Sequence, residues 1–486
     1  MKLPLSLLTA CLLLSACNQT RLHNEPAPIP PANWQGAHTL SSPAGNQQWW
    51  THFSSPELDR LIAQARAGSY DLAAAVARVQ QARASAVIAG APLLPEVSFG
   101  ASANRQKLLH GKGYNQLDGN DDKQAVDYFD AKLSASYEVD FWGGKSAARD
   151  SAVQALKASE FDQATVELTL LSSVANSYVQ TLAFNEQLRI ARLNLANAQN
   201  VMHVVQTRYD AGSATAVELA QQKSLVAGQQ RQLPLVEQQA QEARITLAVL
   251  LGQPVQSLVL GNTAFGQLQW PSIGSGLPSE LLTRRPDIAS AEARLAAAAA
   301  DIRVARAAML PGLTLSASLG SGSDRFSDVL RSPFYSLTAG LAAPIFNNGR
   351  LSAERDKATA HQQELLQTYR GSIINAFADV EKALNSARGL DQQRHWQDEE
   401  LKQAQQAFDI AEHRYKAGAE ILLTVLETQR TLYQAQDQNV QLRLARLQAS
   451  IALYKALGGG WQVDIPRSYK RYGKPLDGTL NDGGDQ

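Results

Sequence analysis

RYKAGAEILLTVLETQR, from Arg414 to Arg430, has an earlier counterpart in the same chain: RYDAGSATAVELAQQK, from Arg208 to Lys223. Both open Arg-Tyr-x-Ala-Gly. Both stand between long Pro-poor stretches with helical periodicity, so each reads as the tip of a helical hairpin, with Gly212 or Gly418 ending the incoming helix. The two turns lie 206 residues apart, far beyond the period of a solenoid. The chain is therefore two copies of one unit.

The duplication extends outward from the turns. Residues 70–102 align with 286–318 at an offset of 216, and Ser146, Arg149 and Asp150 align with Ser352, Arg355 and Asp356 at 206. The difference is a polar, Gly-rich insertion in the first copy, within 107–124. Each unit opens with a helix, expected over Glu57–Ala89 and Ser279–Met309, and Pro95 and Pro311 end it. A strand pair follows. In FDAKLSASYEVDF (Phe129–Phe141) apolar residues alternate with Asp130, Lys132, Ser134, Ser136, Glu138 and Asp140, the period of a β-strand. Its partner is Glu96–Arg105, and the second copy repeats the pattern around Leu313–Leu319 and Tyr335–Leu341. Long rods come next, Gly144–Tyr209 and Leu351–Lys416. Seven-residue spacings (Phe161, Leu168, Ala175, Leu182; then Leu188, Leu195, Met202, Tyr209; then Leu401, Phe408, Tyr415) mark expected coiled-coil seams. Some 65 residues at 1.5 Å each give a rod on the order of 95 Å. Return helices are expected over Ala214–Leu251, with a kink at Pro234, and over Glu420–Leu457.

The fold class is thus mainly α with a small β part. The division is a signal peptide over 1–16, an N-terminal tether over 17–55, repeats over 56–275 and 276–458, and a tail over 459–486. MKLPLSLLTACLLLSAC carries a lysine and then an apolar run too short to span a bilayer as a helix. It resembles a bacterial lipoprotein signal, with Cys17 lipidated and the outer membrane as destination. Trp34, Trp49 and Trp50 are expected to pack the Pro-rich tether onto the body. With a membrane address, apolar/polar alternation over about ten residues reads as membrane strands with a wet lumen face, lined by Asp130, Lys132, Glu138 and Asp140. Four strands cannot close a barrel, and open edges in lipid leave backbone groups unpaired. Several chains must share one barrel.

The 486 residues carry 45 basic and 45 acidic side chains and only 2 Cys, one of which leaves with the signal. No basic stripe points to nucleic acid. The 8 His are scattered, and no metal, phosphate-loop or nucleophile-elbow motif is present. No cofactor and no enzymatic activity are expected.

LLTRRPDIASAEARL (Leu281–Leu295), AMLPGLTLSAS (Ala308–Ser318), PIFNNGRLSAERDKA (Pro344–Ala358), the tip motif and the lipobox together resemble the outer-membrane factor family, the TolC-like channels, in its NodT-type lipoprotein branch. The resemblance covers the chain from about Trp50 to Leu457. It implies a homotrimer: a twelve-strand barrel continued by a twelve-helix α-barrel across the periplasm, with an equatorial belt drawn from the start of the chain, Gly252–Gly276 and the tail. It implies as partners a periplasmic membrane-fusion adaptor and a proton-driven inner-membrane pump. The function implied is the exit duct of a tripartite efflux pump for small toxic compounds. A protein-secretion duct is the alternative within that class, and a periplasmic coiled-coil scaffold the alternative outside it. The family's periplasmic gate falls on Leu423 and Glu427, where Asp is usual at the second position. Tyr415 and Arg414 would hold the hairpins closed, and Arg208, Tyr209, Gly212 and Gly418 would meet the adaptor. Independently of family, Leu423 and Glu427 are four apart and share a helix face, and a carboxylate ring in a narrow bore favours cations.

Overall fold

A computed structural model describes residues 29–35, 48–107, 126–271, 276 and 278–461. Cys17, most of the insertion and the tail beyond Trp461 lie outside the described residues.

Among the described residues, seven main helices and four strands follow the duplicated order. The first copy gives α1 (Pro56–Gly68), α2 (Tyr70–Gly90), β1 (Glu96–Gln106), β2 (Val126–Val139), α3 (Gly144–Asp210) and α4 (Ala216–Leu250). The second gives a single helical turn (Leu281–Arg284), α5 (Pro286–Ala307), β3 (Gly312–Ser323), β4 (Pro333–Ala342), α6 (Arg350–Lys416) and α7 (Leu422–Ala456). Both rods have 67 residues, about 100 Å at helical rise, and both return helices have 35. Each return helix thus covers only half a rod. The upper halves are covered by the short helices, giving a layer α2–α3–α5–α6. The lower halves run α4–α3–α7–α6.

The opening helix expected in each copy is in fact broken, at Ser69 and at Arg285. Both breaks are extended in ψ and lie at the 216 offset. The Ser69 hydroxyl caps α2 by accepting from the Leu72 amide at 3.4 Å. Each break abuts a glycine at the end of a return helix. Gly252 (φ +69°) seats against the Gly68 carbonyl and Gly458 (φ +87°) against the Arg284 carbonyl. A Cβ at either glycine would collide with that oxygen, so the same backbone-on-backbone contact is built twice.

Arg285, in the LLTRRPDI motif, fixes the second of these joints. Its guanidinium donates two bonds to Asp287 (3.0 and 2.6 Å), one to Asp379 on α6 (3.1 Å) and one to the Ala456 carbonyl at the end of α7 (3.3 Å). Burial pushes the Asp287 carboxyl up, but the Arg285 guanidinium and the Ile288 amide outweigh it, leaving the carboxyl below the usual range. Such a group contributes stability that is present above the ordinary carboxylate pKa and lost as pH falls through its lowered folded value. Asp287→Asn is therefore expected to lower thermal stability at pH 7 while flattening its decline below pH 4. Melting curves across pH check both.

The belt packs on the rods through aromatic residues. Trp49, Trp50 and Phe53 are buried with Tyr178 of α3 and Tyr454 of α7; Trp34 sits on Phe377 and donates to the Gly276 carbonyl at 3.0 Å. All three tether tryptophans are buried, as the sequence suggested. The Tyr178 hydroxyl, pushed up to about 12 by burial, donates to Glu57 at 2.9 Å. Glu57 also accepts from Thr263 at 3.0 Å and from the Gly261 amide. Trp270 lies between two guanidinium groups, Arg394 of α6 at 4.4 Å and Arg443 of α7 at 4.8 Å. Arg443 also donates to the Gly266 and Leu268 carbonyls. This clamp fixes which face of α6 and α7 points toward the belt.

The lower seam of α3 differs from the expected one. Its buried residues are Ala191, Asn194, Ala198, Val201 and Val205, rather than Leu188, Leu195, Met202 and Tyr209. Small residues at alternating three- and four-residue steps let the helices approach closely, and the larger side chains are displaced outward. On α6 the expected Phe408 and Tyr415 are indeed buried.

Candidate functional site

The described strands form one antiparallel sheet in the order β1-β2-β3-β4. Register aligns Phe99, Leu133, Leu319 and Tyr335 across it, and likewise Val97, Ala135, Ala317 and Leu337. One face is therefore apolar from edge to edge, and it is exposed: Phe99 73%, Leu319 64%, Leu337 76%. Exposed aromatic residues stand at both ends, Phe326 and Tyr335 at one and Phe141, Trp142 and Phe346 at the other, as in the girdles of membrane barrels. Among the described residues, β1 and β4 each keep one edge without a strand partner.

The opposite face carries Asp130, Lys132 and Glu138. The Asp130 carboxylate accepts from the Ser102 hydroxyl and lies 3.9 Å from the Lys132 ammonium. Glu138 pairs with Lys145 at 2.8 Å. Gly320 opposite Lys132 leaves no room for a Cβ. Asp140 lies past the end of β2 and has a separate job. Its carboxylate accepts from the Lys145 and Ser146 amides at 2.8 and 2.9 Å, capping α3. Burial raises its pKa, but those amides outweigh this and hold it below the usual range.

At the far end, the two tips have one geometry. Gly212 (φ +73°) and Gly418 (φ +78°) close Schellman caps. The Ser213 and Ala419 amides donate to the Arg208 and Arg414 carbonyls at 2.8 and 2.9 Å, and the two glycine amides donate to Tyr209 and Tyr415. The next helices start differently. Thr215 and Glu218 form a reciprocal capping box on α4. On α7 the Glu420 carboxylate accepts from the Ile421 amide and Thr424 and faces Arg414 at 3.5 Å. Arg414 thus braces its own tip. Arg208 crosses to the other tip, with its guanidinium 4.4 Å over the Tyr415 ring and against Gly418. Tyr415 is 2% exposed and its hydroxyl has no partner among the described residues. Tyr209 is exposed.

Leu423 and Glu427 both lie on the exposed face of α7, while Leu422, Val425, Leu426 and Gln429 face inward to the seam. Among the described residues the Glu427 carboxylate has no partner, Arg430 included. Glu427 and Arg443 are sixteen residues apart, roughly 160° around the helix, so Glu427 points away from the belt. Val217 and Gln221 hold the equivalent exposed positions on α4.

The outer membrane efflux protein family profile matches residues 61–253 and again 277–459. The chain belongs to the outer membrane efflux protein family. The double match coincides with the duplication, and this efflux protein is an outer-membrane channel through which solutes leave the cell. The pyoverdine export outer membrane protein OpmQ of Pseudomonas aeruginosa is 63% identical over 95% of this chain and 97% of its own length. The Pseudomonas putida protein of the same name is 61% identical over 90% and 93%. Among solved structures the outer-membrane channel OprN superposes with a TM-score of 0.82 at 26% identity, covering 90% of this efflux channel and 98% of OprN.

Sequence reasoning missed three working parts of the efflux channel. The Trp270 clamp had no signal, because nothing in the sequence pairs it with Arg394 and Arg443. The paired joints at Gly252 and Gly458 were legible in principle, since both glycines share the 206 offset. Arg208 was placed at a tip, but its reach to Tyr415 of the other hairpin was not foreseen.

Proposed function

We propose that three copies of this chain close one β-barrel and one α-barrel and serve as the exit duct of a tripartite pump that exports a siderophore of the pyoverdine kind. The observation that carries the duct is the sheet: an exposed apolar face bounded by two unpaired edges cannot stand in lipid alone. Pairing β4 of one copy with β1 of the next removes every edge. The substrate reading rests on the identity with the two pyoverdine exporters over nearly the whole chain.

In this reading the face of α7 turned from the belt lines the lumen. Leu423 and Glu427 form the periplasmic gate, with Tyr415, Arg414 and the Arg208 cross-contact holding the tips together. Gly212 and Gly418, with Tyr209 and Arg208 beside them, present close-approach surfaces to the hairpins of a membrane-fusion adaptor and, beyond it, a proton-driven pump. Asp130, Lys132 and Glu138 keep the barrel lumen wet, and Asp140 sits at its inner mouth. Cys17 carries the lipid. Deleting the gene is expected to lower siderophore in the medium at least severalfold and to raise it in the periplasm, with both restored by the intact gene. Mass spectrometry of the two fractions checks this; unchanged secretion, in a strain with no second duct, defeats the substrate assignment.

A further inference from the structure

Seven-residue steps along α7 put Glu427, Gln434, Gln441, Gln448 and Lys455 in one line. The same steps on α6 align Lys382, Gly389 and Trp396. Trp396 is two residues from Arg394 of the belt clamp, roughly 200° around the helix, so it too faces away from the belt. It is 71% exposed, a large cost for an indole on a polar rod unless something covers it. Above it, between α6 and α7, runs a groove of about 580 Å³. Small residues such as Ala452 form its floor, and Lys382 and Lys455 are among its lining residues. Its one acid, Asp379, is already held by Arg285 at 3.1 Å. Neither lysine has an ion-pair partner among the described residues. Leu390 also lines the groove, six residues from Trp396 or about 9 Å along the axis.

We propose that Trp396 and the Lys382–Lys455 groove form a luminal contact station for flat, anionic aromatic solutes in transit. This rests on the reading that the Glu427 face of α7 lines the duct. An aromatic solute offers the indole a stacking partner, and its acid groups meet two unpaired ammonium groups at the next step outward. A cation finds no partner there, although it is favoured at Glu427. The duct thus selects by position, acidic at the tip and basic at the equator.

The test uses the purified full-length channel and two dyes, pyranine as the polyanionic aromatic and ethidium as the cationic one. Pyranine anisotropy is expected to report binding that Lys382→Gln with Lys455→Gln weakens about tenfold and Trp396→Leu weakens about fivefold, with ethidium no weaker in the lysine double variant. Unchanged pyranine affinity in the lysine double variant overturns the station, as does equal weakening of both dyes. A second measurement separates this from the gate. Trp396→Cys, reacted with a sulfonated methanethiosulfonate, is expected to reduce bilayer conductance in both the wild-type and Glu427→Ala backgrounds. Complete labelling with undiminished current puts residue 396 outside the duct and ends the proposal. If current falls on labelling while Glu427→Ala changes nothing, the gate assignment fails and the station stands.

Discussion

Glu427→Ala is expected to raise single-channel conductance severalfold and to cut cation preference, with Leu423→Ala raising conductance further. Among the described residues Glu427 is exposed, unpaired and turned from the belt. In the proposed three-copy assembly, three such carboxylates would face one bore. At ~6 Å from the axis in water each contributes roughly 0.7 kcal/mol to a passing cation, three on the order of 2 kcal/mol, and physiological salt screens about half. That remainder corresponds to a severalfold permeability ratio. In the same assembly Leu423, four residues nearer the tip and 51% exposed, would supply an apolar constriction that resists wetting. Conductance and reversal potential in a salt gradient separate the two residues: the carboxylate sets the reversal potential, the leucine only the current. Unaltered values in both variants would remove Leu423 and Glu427 from the gate.

Gly458→Ala is expected to be the most destabilising single-methyl change in the periplasmic body, with Gly252→Ala close behind. Both glycines have positive φ, and an added Cβ meets the backbone oxygen of Arg284 or Gly68. Neither oxygen can yield easily, because each belongs to a helix break held in place, one by the Ser69 cap and the other by the Arg285 guanidinium bonds. Left-handed backbone and overpacking together cost about 3 kcal/mol per site, repeated in every copy of an assembly. Gly212→Ala is the control. Its φ is also positive, but nothing lies within 4 Å of the added atom, so it loses only about 1 kcal/mol. Heat-dissociation of the assembled channel is expected to rank them Gly458, Gly252, then Gly212, and a flat ranking would show that the close contacts are unimportant.

The strands and rods were legible because each repeats a period over many residues. Thirteen alternating positions from Phe129 to Phe141, and heptads sustained over a rod, leave little freedom. The tips were legible because Gly212 and Gly418 end helices in a way that few sequences permit. Duplication helped twice over, since every element had a second witness. The breaks at Ser69 and Arg285 were hidden for different reasons: no proline marks Ser69, and Pro286 reads as a proline in the first turns of the expected helix, while the contact that fixes each break comes from a glycine about 180 residues away. The α3 seam was misjudged because large apolar residues were weighted over alanine, yet close helix contact prefers the smaller side chain. The exposed face shared by Leu423 and Glu427 was legible, but not the line running from Glu427 to Lys455. That line emerges only once the Trp270 clamp fixes which side of α7 is turned outward.

The two rods agree in length to the residue, as do the two return helices. Each copy therefore acts as a gauge for the other. One extra heptad in a single rod would drop its tip by about 10 Å, leaving Arg208 and the Tyr415 ring on different levels and the return helix short of its joint. Compensation would require the same insertion in four helices at once. Point substitutions can drift along these helices freely, but their span is inherited as a locked unit, so any change of reach has to come in all four helices together.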